Sequence, residues 1–115
     1  STEDRNELMH ELLRKCWVAK YEDLSDILKR SPSSAERYIK QAIDSGFFKE
    51  EEWKKWKREA KKGGYDRETR IEKGKQHIED NYKVHMNETG RGGRFIVERL
   101  NQYFDEEYYE EEADF

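Results

Sequence analysis

Apolar positions recur at helical spacing from the start of the chain. Leu8, Met9, Leu12, Leu13, Cys16 and Trp17 share one face over residues 4 to 20, with Glu7, His10, Glu11, Arg14 and Lys15 between them, which predicts an amphipathic helix. Leu24, Ile27 and Leu28 repeat the pattern more briefly over 22 to 30, and Ser31-Pro32 breaks it. Ser33 and Glu36 form a Ser-x-x-Glu capping box, and Ala35, Ile39, Ala42 and Ile43 hold the helical period up to Gly46. A third helix is expected from about 34 to 45. Glu50 to Lys62 reads as a fourth, with Trp53, Trp56 and Ala60 as a narrow apolar stripe ended by Gly63-Gly64. Arg67 to Asn81 reads as a thinner fifth helix, in which Gly74 costs about 1 kcal/mol relative to alanine. The period then drops to two. Tyr82, Val84 and Met86 alternate with Lys83 and His85, the glycine-rich stretch 87 to 93 supplies a turn, and 94 to 100 returns as a strand.

This pattern predicts a mainly α fold with one β-hairpin, an α+β class. Two short helices joined by a polar turn, the second strongly capped, meet the needs of a helix-turn-helix. The segment from Tyr21 to Phe48 resembles the helix-turn-helix core of winged-helix proteins. It has the Leu24-x-x-Ile27-Leu28 helix, the serines of the turn, a recognition helix, and the exit Ser45-Gly46-Phe47. Residues 67 to 100, in the order helix, strand, Gly-Arg-rich turn, strand, resemble the end of a winged-helix unit of small phage and plasmid proteins from Gram-positive bacteria. The resemblance implies a winged helix-turn-helix domain over 1–104: helix-turn-helix 22–46, basic helical segment 50–81 and wing hairpin 82–100. It departs from the minimal family pattern by placing extra helices between recognition helix and wing.

Charge sharpens this reading. Residues 105–115 hold seven of the 27 acids and none of the 23 bases, leaving a basic body of 23 bases against 20 acids and an acidic tail expected to be disordered. Within the body, residues 53 to 75 carry ten bases against four acids, which suits a polyanion such as DNA. With Ala35, Ile39, Ala42 and Ile43 facing the core, the recognition helix would present Ser33, Ser34, Arg37, Tyr38, Lys40 and Gln41 outward. Arginine can clamp a guanine edge, glutamine can pair with adenine, and serine hydroxyls can hold phosphates. Lys54, Lys55, Lys57, Arg58, Lys61 and Lys62 would add sequence-independent phosphate affinity. Arg91 and Arg94, set among glycines, would reach the adjacent backbone or minor groove. Duplex DNA is therefore the expected partner, and a homodimer through Trp53 and Trp56 competes with core burial of both indoles.

Catalytic chemistry is sparse in the sequence. Cys16 belongs to an apolar face, and His77 and His85 lack the spacing of a zinc site. The Gly-Arg-Gly-Gly turn lacks the Gly-Lys-Ser/Thr ending of a P-loop. No enzyme activity, metal or cofactor is expected. Apolar runs are too short for a membrane span, and one cysteine forms no internal disulfide, so a cytoplasmic setting is expected. In the tail, Tyr108, Tyr109, Asp114 and Phe115 make an acidic-aromatic peptide whose Ala-Asp-Phe ending is similar to the tips of single-stranded-DNA-binding proteins. That likeness implies docking to a protein partner, while solubility or masking of the basic body are the competing uses. A different class of function, an interaction protein that inhibits a host nucleic-acid machine by acidic mimicry or through its tail, also fits the composition.

Overall fold

The computed structural model of the chain describes residues 2–85 and 95–100. Among these residues five helices precede a two-stranded antiparallel sheet: α1 (Thr2–Cys16), α2 (Tyr21–Leu28), α3 (Pro32–Asp44), α4 (Glu50–Gly63), α5 (Arg67–Asn81), β1 (Tyr82–His85) and β2 (Ile96–Arg99). The class is mainly helical α+β. Among the described residues no helix is long and apolar enough to cross a membrane.

Several helix boundaries differ from the sequence expectation, α2 ending at Leu28 rather than near residue 30, and two of the differences have a clear local reason. The first helix stops at Cys16 rather than running to residue 20, because Trp17 adopts a left-handed backbone (φ 61°) and the Val18 N–H turns back to the Leu12 carbonyl at 3.1 Å. Val18 and Ala19 stay in the core, but as a connection. The third helix begins two residues early. Ser31, not Ser33, is its N-cap: its hydroxyl accepts from the Ser34 N–H (3.2 Å), and Pro32 fits the first helical turn because its missing N–H would have had no partner there. Glu36 pairs with Lys40 (3.2 Å) instead of completing a box. At the other end, Gly46 (φ 78°) lets the Phe47 N–H reach the Ala42 carbonyl at 3.0 Å, the stop its position predicts.

Buried residues of α1, α2 and α3 form one apolar cluster with Phe48, Trp53, Ala60, Tyr82, Phe95 and Val97. Trp53 is 5% exposed and stacks on Phe48 (6.1 Å between centroids), while Trp56 packs edge-on against His10 at 5.0 Å. The indoles therefore pack within the chain. The sheet pairs Tyr82 with Arg99 and Val84 with Val97, and its inner face closes the core over α1. Gly74 is the point where α5 crosses α2: a Cβ there would lie 2.6 Å from Ile27 Cδ1.

Two buried acids tie distant elements together. Asp23 on α2 is 1% exposed and accepts from Arg67 Nε (3.2 Å) and Arg70 Nη2 (3.1 Å) of α5. Glu11 on α1 accepts from the Tyr82 hydroxyl and from Arg99 (2.7 Å), with His77 Nε2 at 3.3 Å.

Candidate nucleic-acid interface

The interface starts from the outward side of α3. Its first turn gathers three serines, with Ser31 Oγ 3.1 Å from Ser33 Oγ and 3.0 Å from Ser34 Oγ. Ser33, Arg37, Lys40 and Gln41 are exposed, and Ser34 is half-buried. Tyr38 corrects the expectation that it faces outward. It lies three residues after Ala35 and four before Ala42, so the helical period turns it into the core, where it is 4% exposed and stacked on Phe95 (5.2 Å, 15° between planes). Ile43, expected in the core, is only half-buried.

Tyr38 nevertheless organises the surface above it. The Arg37 guanidinium lies 5.5 Å from its ring centroid and that of Arg5, from α1, 4.8 Å. Arg5 also donates to Gln41 Oε1 at 2.7 Å, and Arg30, at the α2–α3 connection, sits 5.4 Å over Phe95. Burial lowers the Arg5 pKa, yet a guanidinium so far above neutrality stays charged. Arg5, Arg30 and Arg37 therefore stack on one Tyr38–Phe95 pair and frame the exposed side of α3. Arg5 and Arg30 escaped the sequence reading because one lies 36 residues from Gln41 and the other 65 from Phe95. No local spacing signals either.

The α4 cations form a second group. Lys54, Lys55, Arg58, Lys61 and Lys62 are exposed, and Lys57 is half-buried over the Tyr21 ring (5.7 Å). Lys54 pairs with Glu50 across one turn at 3.5 Å. Tyr21 is where the two groups meet: its ring stacks on Trp53 of α4 (6.5 Å between centroids), and its hydroxyl feels the charges of Glu36 and Lys40 of α3. Burial, with Glu36, pushes its pKa up, so it remains a neutral phenol.

Arg91, Arg94, Tyr108, Tyr109, Asp114 and Phe115 lie outside the described residues. Burial raises the Cys16 pKa, which keeps the thiol protonated on the inner face of α1. His77 is held between Glu11 and Asn81, and His85 pairs with Glu98 at 3.0 Å. Among the described residues no group of three or more histidine, cysteine or acidic side chains is arranged to hold a metal. Compared with protein-family models, with curated proteins and with solved structures, the chain matches none.

Proposed function

We propose that the chain is a non-enzymatic DNA-binding protein of the winged helix-turn-helix type, serving as a transcription or replication accessory factor. The observation that carries this reading is the arginine-framed outer side of α3, where exposed Arg37 and Gln41 stand beside Arg5. Such a helix enters the major groove with Arg37 and Gln41 toward base edges, while Arg5, Arg30 and the serine hydroxyls meet phosphates. The α4 lysines extend the phosphate contact, and Arg91 and Arg94, between the two strands in the sequence, would reach the neighbouring backbone. A two-stranded sheet following the helices in sequence suits the base of a wing, and the three-residue connection between α2 and α3 suits the turn.

A salt titration of duplex binding by the full chain tests the reading. Log affinity should fall linearly with log salt, because each neutralised phosphate releases counterions. Arg37→Glu should weaken binding by roughly tenfold or more and flatten the salt slope by about one. A chain with no salt-dependent affinity for duplex DNA, or one indifferent to Arg37→Glu, removes α3 from this role. Shortening the chain to end at Phe104 reads the tail: tighter duplex binding indicates masking of the basic body.

A further inference from the structure

A second surface feature, resting on the nucleic-acid reading, concerns the form of DNA. The α1–α2 connection, the C-terminal turn of α4, the 64–66 connection and the N-terminal turns of α2 and α5 line a cleft of about 160 Å3, with Trp17, Lys20, Asp23, Lys61, Tyr65 and Arg70 among its lining residues. Its walls are aromatic for identifiable reasons. The left-handed turn at Trp17 ends α1 and lays the indole on Gly63, where a Cβ would sit 4.0 Å from Cη2 and Cζ3. The backbone carbonyl of Tyr65 is fixed by Arg70 Nη1 (2.7 Å), yet the residue stays 41% exposed, with Lys73 Nζ 4.7 Å from its ring centroid.

The cleft is also cationic. Asp23, its acid, is already met by Arg67 and Arg70. Lys20 and Lys61 line the cleft, are exposed, and form no ion pair among the described residues. Lys61 lies one turn beyond Lys57, which covers the Tyr21 ring, and Tyr21 is the neighbour of Lys20 in the chain. The aromatic residues Trp17 and Tyr65 thus line one cleft with the cations Lys20 and Lys61, the pairing that takes up unstacked bases and their phosphates. A duplex keeps its bases stacked and would offer this cleft only its backbone. The volume matches one planar ring, since a cavity of about 150 Å3 accommodates a benzene.

We infer that this cleft receives one unstacked base of single-stranded DNA, with the flanking phosphates on Lys20 and Lys61. Three ligands titrated into the full chain test it: an oligothymidylate of about 12 nucleotides, an abasic strand of equal phosphate number, and a duplex. Tyr65→Ala leaves every charge in place. It should weaken oligothymidylate binding roughly 5- to 150-fold, the loss of one base–aromatic stack, while changing abasic-strand and duplex binding less than about twofold. Tyr65→Trp should restore the oligothymidylate affinity, and Trp17→Phe should remove most of the indole quenching that accompanies binding. Equal loss on all three ligands, or no loss on any, overturns the inference. Duplex binding that responds to Arg37→Glu, together with oligothymidylate binding indifferent to Tyr65→Ala, rejects the cleft and leaves α3 its role. The reverse pattern rejects α3 and keeps the cleft.

Discussion

Glu11 shows how one side chain can join four elements. From α1 this residue, 8% exposed, turns its carboxylate to His77 of α5, Tyr82 of β1 and Arg99 of β2. A buried carboxylate is tolerated because the guanidinium and the phenol supply charge and hydrogen bonds in place of water. Glu11→Ala would leave the Tyr82 hydroxyl without its acceptor and Arg99 with Glu7 alone (3.1 Å), and should lower unfolding stability by about 2 kcal/mol in urea titrations, less than a fully broken buried pair because Arg99 is 27% exposed and keeps that partner. Tyr82→Phe removes one hydrogen bond and should cost about 1 kcal/mol. The same site sets an alkaline limit. Burial first, then the bond to Glu11 and its charge, push the Tyr82 pKa well above its ordinary value of 10.0, and burial raises that of Cys16 above 9.0. The folded chain keeps these protons where the unfolded chain has released them, so the unfolded state binds fewer protons and stability falls as pH rises past those ordinary values. Urea midpoints should therefore drop between roughly pH 9 and 11, and Tyr82→Phe should reduce the drop. An unchanged slope in that variant removes Tyr82 from the effect.

Gly74 looks like a defect in α5 when judged by helix propensity, and the packing reverses that judgement. Alanine there would gain about 1 kcal/mol of propensity. Its Cβ, however, would meet Ile27 at 2.6 Å (Cδ1), 3.2 Å (Cγ1) and 3.4 Å (Cγ2), and Ile27 is only 5% exposed with little room to turn. Overpacking of this kind costs roughly 1–3 kcal/mol, so Gly74→Ala should be destabilising by about 1 kcal/mol net. Ile27→Val removes the Cδ1 contact, and the double variant should lose less than the sum of the singles in a thermodynamic cycle. Strict additivity would show that the two positions do not clash. The helix α5 itself was legible, with its bounds at Arg67 and Asn81, because its apolar period and flanking breakers are local signals. The early end of α1 was not, since Val18 and Ala19 continue the apolar pattern and a left-handed tryptophan has no sequence signature. Tyr38 carries the core period of α3, but a polar tip on an aromatic ring makes an outward and an inward placement look alike in sequence. The arginine frame of α3 and the Trp17–Tyr65 cleft were invisible for another reason: their members are brought together only by the tertiary fold.

The same long-range ties decide whether residues 50–81 behave as a separate unit. Trp53 stacks on Phe48 and Tyr21, Arg14 of α1 lies over Trp56 and pairs with Glu59 at 3.4 Å, and Asp23 of α2 is clamped by Arg67 and Arg70 of α5. Buried residues of the first three helices, of α4 and of the sheet belong to one apolar cluster. An opening of α4 and α5 alone would strip the Trp53 side of the core and strand the Asp23 carboxylate, so it should cost nearly as much as global unfolding. Tryptophan fluorescence, dominated by two indoles on α4, and far-ultraviolet circular dichroism, which weights all five helices, should accordingly report one urea midpoint. Asp23→Ala should lower that shared midpoint by the equivalent of about 2 kcal/mol, because it removes the buried acceptor of both arginines, while Arg67, 58% exposed, keeps Asp26 and Arg70 keeps the Tyr65 carbonyl. Glu50→Gln removes only the exposed pair with Lys54 and should move it by less than about 0.5 kcal/mol. If α4 and α5 formed an independent unit, the fluorescence midpoint would part from the dichroism midpoint, and Asp23→Ala would widen the gap instead of shifting both together.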